Sequence, residues 1–319
     1  MSLLWLCYDF YRFIQQPLAI PEDGLVYELR PGTGVISLAD DMTKAGYLND
    51  PRYFRLLAQY HGVTQSLKAG EYHIPFGTTA PTLLAMFTSG KVVDHSLTLI
   101  EGWNIHQVLA AVNAHNGLVH TLKGLSPGTV MEKLGHPGEH PEGRFYPDTY
   151  HFPRGTTDVA FLKRAYQRLQ SVLEHQWAER NNNLPLQSPY EALILASIVE
   201  KETGKAEERQ MIAGVFIRRL AMGMKLQTDP TVIYGMGDSF KGNISRRDLV
   251  TNTPYNTYLH VGLPPTPICM PGKAAISSVL HPSSGKALYF VARGDGSHYF
   301  STTLEEHNIA VRRFQLKKR

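Results

Sequence analysis

The spacing of hydrophobic and polar residues predicts a buried helix that ends on a carboxyl group. Eight small or apolar residues occupy positions 192–199 and are followed directly by Glu200. Ser188 is suited to cap the start of a helix, a proline follows at the first helical position, and Gly204 stands where the helix should stop. A helix that is apolar around its whole circumference belongs in a core. We therefore predict a core helix from about residue 189 to 203.

Glu200 is the candidate catalytic residue on this helix. Helical spacing places it on one face with Ser197 and Leu193, whereas Glu202 points to nearly the opposite side. Partial burial and the negative end of the helix dipole both disfavour the carboxylate, so the pKa of Glu200 should be raised. A carboxyl group that stays protonated near neutral pH can act as a general acid. The alternative is a glutamate that only marks where the helix reaches water.

The rest of the chain alternates between strand and helix patterns, which predicts an α+β fold. A small α+β module comes first, and a larger mixed α+β domain follows it. The apolar spacing in the larger domain predicts helices at about 157–180, 206–222 and 272–279, a hairpin turning at 294–296, and a last helix after Thr303. The predicted boundaries are a stub and linker at 1–21, the module at 22–94 and the larger domain at 95–319.

Composition limits the classes of function that fit this chain. The 319 residues are 43% hydrophobic and 19% charged, as in ordinary globular proteins, and the net charge of +4 is too small and scattered to indicate a nucleic-acid partner. We predict no metal and no cofactor, because the histidine pair of His136–His140 has Pro-Gly inside it and no nucleotide-binding fingerprint is present. The apolar segment Leu3–Cys7 is too short to span a bilayer, so it is either a group of start residues or the stub of a longer anchor.

Three segments combine tyrosines with amide side chains and prolines, namely residues 142–153, 226–235 and 253–265. We interpret them as irregular loops. Aromatic faces and neutral hydrogen-bonding groups suit sugars, so the segments favour a carbohydrate site. The alternative is that their tyrosines fill the core with satisfied hydroxyl groups.

The motifs EGRFYPDTY, ASIVEKETG, LQTDPTVIYGMG, NTPYNTYLHVGLPP and YFVARGDGSHYFS occur in this order. Together they resemble the YceG-like family of endolytic murein transglycosylases over about residues 24–315. The resemblance implies a LysM-like module at 22–94, a catalytic domain after it, and a single-pass inner-membrane anchor upstream that leaves the catalytic domain in the periplasm. The sequence departs from this pattern at the anchor, which is absent or reduced to Leu3–Cys7.

The resemblance implies a lyase that cuts the β-1,4 bond between N-acetylmuramic acid and N-acetylglucosamine and leaves 1,6-anhydromuramyl ends. Glu200 would be the essential acid and base, and one carboxyl group suffices because the attacking muramyl 6-hydroxyl is already tethered. Peptidoglycan glycan strands would be the substrate, with peptidoglycan synthases as candidate partners. We expect one groove to hold Glu200 together with the substrate-binding residues Tyr146, Tyr150, Ser197, Gln227, Asp229, Tyr234, Asn256 and Tyr258.

Two other functions remain open at this point. A muramidase would use water as the nucleophile and would need a second acid, for which Glu142, Asp148 and Asp229 are candidates. A peptidoglycan-binding scaffold would have no catalytic activity. The products formed from murein distinguish the three functions.

Overall fold

The computed structural model describes residues 3–316, which separate into two compact units. The first unit holds the described residues up to Ser96, together with 116–119 and 151–156. The second unit holds the remaining described residues from Leu97 onward. Both units mix helices with short strands, so the predicted α+β class is confirmed.

The first unit is built around an antiparallel strand pair and the helices that cover it. Its elements in chain order are α1 (Leu3–Gln15), β1 (Leu25–Leu29), α2 (Val35–Lys44), α3 (Pro51–Tyr60), β2 (Gly70–Ile74) and α4 (Ala80–Ser89). Leu25 pairs with Ile74 in the β1–β2 ladder. Fully buried Phe54, Tyr72 and Phe87 form part of the core beneath the helices. The order strand-helix-helix-strand is the arrangement that the sequence pattern predicts, and the LysM-like character of this unit stays a prediction.

Short elements follow the first module along the chain. They are β3 (Asp94–Thr98), α5 (Ile105–Ala114), β4 (Leu118–Val119), α6 (Pro127–Leu134), β5 (Thr149–Pro153) and β6 (Thr156–Thr157). β3 pairs with β5, and β4 pairs with β6. A capping box starts α5, because the side chains of Asn104 and Gln107 each accept a hydrogen bond from the other's backbone N–H.

Most of the second unit is helical. Its later elements are α7 (Asp158–Ala178), α8 (Pro189–Glu202), α9 (Arg209–Ala221), α10 (Asp229–Met236), α11 (Arg246–Val250), α12 (Lys273–Leu280), β7 (Tyr289–Ala292), β8 (His298–Ser301) and α13 (Leu304–Val311). α8 runs through the core and packs against α7, α9, α10 and α12. The site is therefore built around the C-terminal end of a helix that is fixed by its neighbours.

The predicted helices and hairpin of the second unit are confirmed, but two of the three segments interpreted as irregular loops contain regular elements. The helices expected near 157–180, 189–203, 206–222 and 272–279 are present, and β7 and β8 form the predicted hairpin. The segment 142–153 includes β5 (Thr149–Pro153), in which exposed and buried side chains alternate as they do in a strand with one buried face. The segment 226–235 is not an irregular loop, because α10 starts at Asp229. Pro230 lies in the first turn of α10, where the missing N–H costs nothing.

No helix within residues 3–316 is long and apolar enough to cross a membrane.

Candidate functional site

The last two turns of α8 are anchored through Ser197. Its hydroxyl donates to the carbonyl of Ile194 at 2.7 Å and accepts from the backbone N–H of Ile268 at 2.9 Å. Ser197 is fully buried. This side chain therefore ties the segment around residue 268 to the helix, and its hydrogen-bonding groups are used within the protein.

Glu200 lies one turn further along α8 and is half-buried. Its Oε2 accepts a hydrogen bond from the backbone N–H of Gly272 at 2.9 Å. Burial raises the pKa of Glu200, the Gly272 N–H opposes that rise, and the negative charge of Glu101 adds to it. Burial therefore acts on this carboxyl group in the direction that the sequence pattern predicts.

Glu101 is a second carboxyl group beside Glu200 that the sequence analysis did not identify. A Cβ atom added to Gly272 would lie only 1.8 Å from Glu101 Oε1, so the Glu101 carboxylate sits directly against the Gly272 backbone. The loop that carries Glu101 is held by the hydrogen bond from Gly102 N–H to the Met270 carbonyl at 2.8 Å. In the sequence, Glu101 is marked only by the glycine that follows it and by the capped helix that comes next. This pattern is too common to identify a functional site.

Glu202 contributes to a cleft of about 530 Å³, here called the Glu202 cleft. The hydroxyl of Thr228 donates to Glu202 Oε1. Burial raises the pKa of Glu202, the Thr228 hydrogen bond opposes the rise, and the nearby charge of Asp229 adds to it. Residues that line the cleft include Glu202, Arg219, Gln227, Asp229, Tyr258 and His298. A half-buried carboxyl group thus faces a cleft that is lined with polar and aromatic side chains.

The walls of the Glu202 cleft are held in place by specific contacts. The Tyr258 hydroxyl donates to Asp229 Oδ1 at 2.6 Å, which links the 253–265 loop to the start of α10. Gln227 has a φ of 53°, a backbone conformation that non-glycine residues seldom adopt. The Arg219 guanidinium donates to the carbonyl of Leu226 at 2.7 Å and so fixes the backbone just before Gln227. Strained backbone of this kind is common at ligand sites.

A second cleft, of about 580 Å³, is here called the Glu142 cleft. Glu142 has no exposed surface, and its carboxylate accepts from the Ile105 N–H at 3.1 Å and from the Tyr234 hydroxyl at 3.1 Å. Burial raises the pKa of Glu142 to about 7, while these two hydrogen bonds oppose the rise. The ring of Tyr234 packs edge-on against Tyr255, with centroids 4.8 Å apart. Lys201 and Gly102 also line this cleft.

The remaining residues of the expected groove are buried and form hydrogen bonds within the protein. Tyr146 and Tyr150 are buried, and the Tyr150 hydroxyl donates to the Tyr146 carbonyl at 2.7 Å. Asn256 is fully buried, donates to the Thr251 carbonyl at 2.8 Å, and accepts from the Tyr258 N–H at 3.0 Å. Asn256 thereby shapes the loop that presents Tyr258. For Tyr146 and Tyr150 the structure agrees with the core alternative.

The expectation of one groove around Glu200 stays a prediction, and the structure distributes its other residues over two clefts. Gln227, Asp229 and Tyr258 do lie together, but they share their cleft with Glu202, and Tyr234 lines the Glu142 cleft. Within residues 3–316, Glu200 is not among the residues lining either cleft. α8 is apolar on every face, so its sequence pattern does not indicate which of the two carboxyl groups at its end faces these clefts.

The two other candidate acids also differ in environment. Asp148 is exposed, and its side chain accepts from the Thr149 N–H at 2.8 Å. Asp229 is exposed as well, but it lines the Glu202 cleft. Among residues 3–316, no group of three or more His, Cys, Asp or Glu side chains is arranged to hold a metal ion.

Comparison with known proteins shows the family of this chain. The model of the YceG-like family matches residues 27–313. The chain belongs to the YceG-like family. A relative from Bacillus subtilis, named endolytic murein transglycosylase, is 31% identical over 89% of this chain and 82% of its own length. A relative of the same name from Streptococcus pneumoniae is 28% identical over 88% of this chain, which spans 56% of that longer protein.

A solved structure gives the same result for the YceG-like fold. The crystal structure of a yceG-like protein from Listeria monocytogenes superimposes with a TM-score of 0.56 and 28% sequence identity, covering 91% of this chain and 99% of that one. Membership of the family and the shared name of these relatives identify the chain as an enzyme of the transglycosylase type.

Proposed function

We propose that this protein is an endolytic murein transglycosylase that cuts the β-1,4 bond between N-acetylmuramic acid and N-acetylglucosamine within nascent glycan strands. The observation that carries the proposal is the Glu202 cleft, in which a carboxyl group of raised pKa faces Gln227, Asp229 and Tyr258. The shared name of the curated relatives supports the same activity. Cutting growing strands in this way terminates their elongation.

We assign the role of general acid to Glu202, and this assignment revises the sequence-based expectation for Glu200. Both carboxyl groups have raised pKa values. Glu202 lines a cleft with the side chains that suit a sugar, whereas Glu200 is bound to the Gly272 backbone and has Glu101 beside it. A general acid must lie within hydrogen-bonding distance of the leaving oxygen, so its position in the cleft is our ground for preferring Glu202.

The proposed mechanism needs one carboxyl group for both steps. Glu202 donates its proton to the glycosidic oxygen as the bond to the muramyl anomeric carbon breaks. The muramyl 6-hydroxyl then forms the new bond to that carbon, and the Glu202 carboxylate takes the hydroxyl proton. The products are a free 4-hydroxyl on one strand and a 1,6-anhydromuramyl end on the other. We assign Tyr258 and Asp229 to the binding of sugar hydroxyls.

Mass spectrometry of a murein digest tests this proposal. Intact sacculi treated with the protein should release fragments with 1,6-anhydromuramyl ends, 18 mass units lighter than the hydrated form. Fragments that all carry reducing ends, or no fragments, would contradict it.

A muramidase is the second candidate, and Asp229 is the observation that favours it. This carboxylate lies in the same cleft as Glu202 and could activate a water molecule, as the second acid does in hydrolases. Digestion in ¹⁸O-labelled water distinguishes the two reactions. Hydrolysis places the label on the new reducing end, whereas the transglycosylase leaves the anhydro end unlabelled.

The location and the role of the first unit complete the proposal. We place the enzyme at the inner membrane with its catalytic domain in the periplasm, where nascent strands and their synthases are found. We assign residues 22–94 to glycan binding as a LysM-like module. Tethering such a module would raise the local substrate concentration. Deleting the module should weaken binding to sacculi and leave residual cleavage. Recovery of the full-length native protein from the cytoplasm would contradict the proposed location.

A further inference from the structure

The Glu142 cleft is larger than the Glu202 cleft and has no part in the proposed chemistry. Polar side chains and aromatic rings line it around the hydrogen-bonded pair of buried Glu142 and half-buried Tyr234, and Lys201 and Asp238 add charges of opposite sign. A cleft with rigid tyrosines and a few fixed polar groups has the composition of a ligand site. Glu142 is buried in its wall and so shapes the cleft through Tyr234.

The start of α5 gives the cleft its hydrogen-bond donors. In the capping box, the side-chain oxygens of Asn104 and Gln107 accept from the backbone at 3.0 Å and 2.9 Å respectively. The amide nitrogens, Nδ2 and Nε2, are therefore the groups that these side chains can offer to a ligand. Lys201 adds a cation, and its Nζ donates to the Gly102 carbonyl at 3.3 Å.

At two places in the chain, consecutive residues line different clefts. Lys201 lines the Glu142 cleft and the next residue, Glu202, lines the other. Pro230 lines the Glu142 cleft and the preceding residue, Asp229, lines the other. Consecutive residues are about 3.8 Å apart at Cα. The end of α8 and the start of α10 thus line both clefts, and we take these two elements as the border that a long polymer would cross.

We propose that the Glu142 cleft is a second saccharide-binding site, which holds N-acetylated sugars of the same glycan strand beyond the bond that is cut. This inference rests on the proposed function. Neutral amide donors and tyrosine rings bind the sugars, and Lys201 pairs with acidic groups on the muramyl substituent. A strand held on both sides of the cut is cleaved within its length, which is what endolytic action requires.

The test measures cleavage of strands of different length by two variants. Gln107→Glu keeps the capping box, because glutamate serves equally well at this helical position, but it removes the Nε2 donor. Lys201→Gln removes the cation. Each should raise KM for long strands roughly 3- to 10-fold, the loss expected for one hydrogen bond or ion contact, with kcat within about twofold. The shortest cleavable oligosaccharide should be unaffected.

Lys163→Gln, an exposed change on α7, is the matched control and should leave KM unchanged for every length. If KM for long strands is the same in both cleft variants as in the parent, the second saccharide site is refuted while the proposed function stands. If the parent itself releases no fragments, the proposed function fails instead. A loss of activity that is equal for short and long substrates also contradicts the proposal, since it would mean that the residues act on the catalytic step.

Discussion

The buried carboxyl group of Glu142 should make the second unit less stable as the pH rises. Burial raises the pKa of Glu142 from 4.5 to about 7. The native state therefore holds this proton more tightly than the unfolded chain, so the contribution to stability is complete below about pH 4.5 and is lost as the pH rises through 7. At about 1.36 kcal/mol per pH unit, the interval corresponds to roughly 3 kcal/mol.

Urea unfolding at pH 5 and pH 8 measures this effect. Fluorescence of Trp103 and Trp177 reports on the second unit once Trp5 is changed to phenylalanine. Glu142→Gln has the shape of the protonated acid and cannot ionise, so the free energy of unfolding of the parent should fall by roughly 2 to 3 kcal/mol more than that of the variant between these pH values. Glu132→Gln, an exposed change on α6, should follow the parent. Equal pH dependence in Glu142→Gln and the parent would refute the reasoning.

Three further predictions follow from the contacts. Ser197→Ala should cost about 1 to 3 kcal/mol in urea unfolding because it leaves a buried amide without its acceptor, and Ser278→Ala, which loses a bond to a helix carbonyl, should cost less; equal costs would contradict the anchoring role. Gly143→Ala should cost about 2 to 4 kcal/mol, since the new Cβ would lie 2.5 Å from a proline ring at a φ of 77°, whereas Gly138→Ala meets only the backbone strain of about 1 to 2 kcal/mol. Tyr258→Phe should lower kcat/KM roughly 3- to 10-fold with an unchanged melting temperature, and normal turnover would remove it from the site.

Local patterns predict the helices of the second unit well because the relevant forces act over a few residues. The apolar run at 192–199, with a cap before it, defines α8 whatever lies around it. The prediction fails for α10 because Pro230 and the small polar residues near it are typical of loops. Proline is compatible with the first turn of a helix, so the same residues start one here.

The site is harder to predict because it depends on contacts between distant segments. The pattern identifies both the helix that ends in carboxyl groups and the segments that carry Asp229 and Tyr258. It does not show which face of α8 these segments cover, and our proposal of Glu202 in place of Glu200 rests on that arrangement. Glu101 is recognised only through its contact with Gly272, 171 residues away by sequence number, which no local rule captures.

The assignment of the general acid is tested most directly by comparing Glu202→Gln with Glu200→Gln in the release of anhydromuramyl fragments from sacculi. Glutamine keeps the size of the side chain but cannot transfer a proton, so Glu202→Gln should lower the rate by about 10²- to 10⁴-fold with its fold intact by circular dichroism. Glu200→Gln should retain most of the activity. If Glu202→Gln releases anhydromuramyl fragments near the parent rate while Glu200→Gln is inactive, the Glu202 cleft is not the catalytic site.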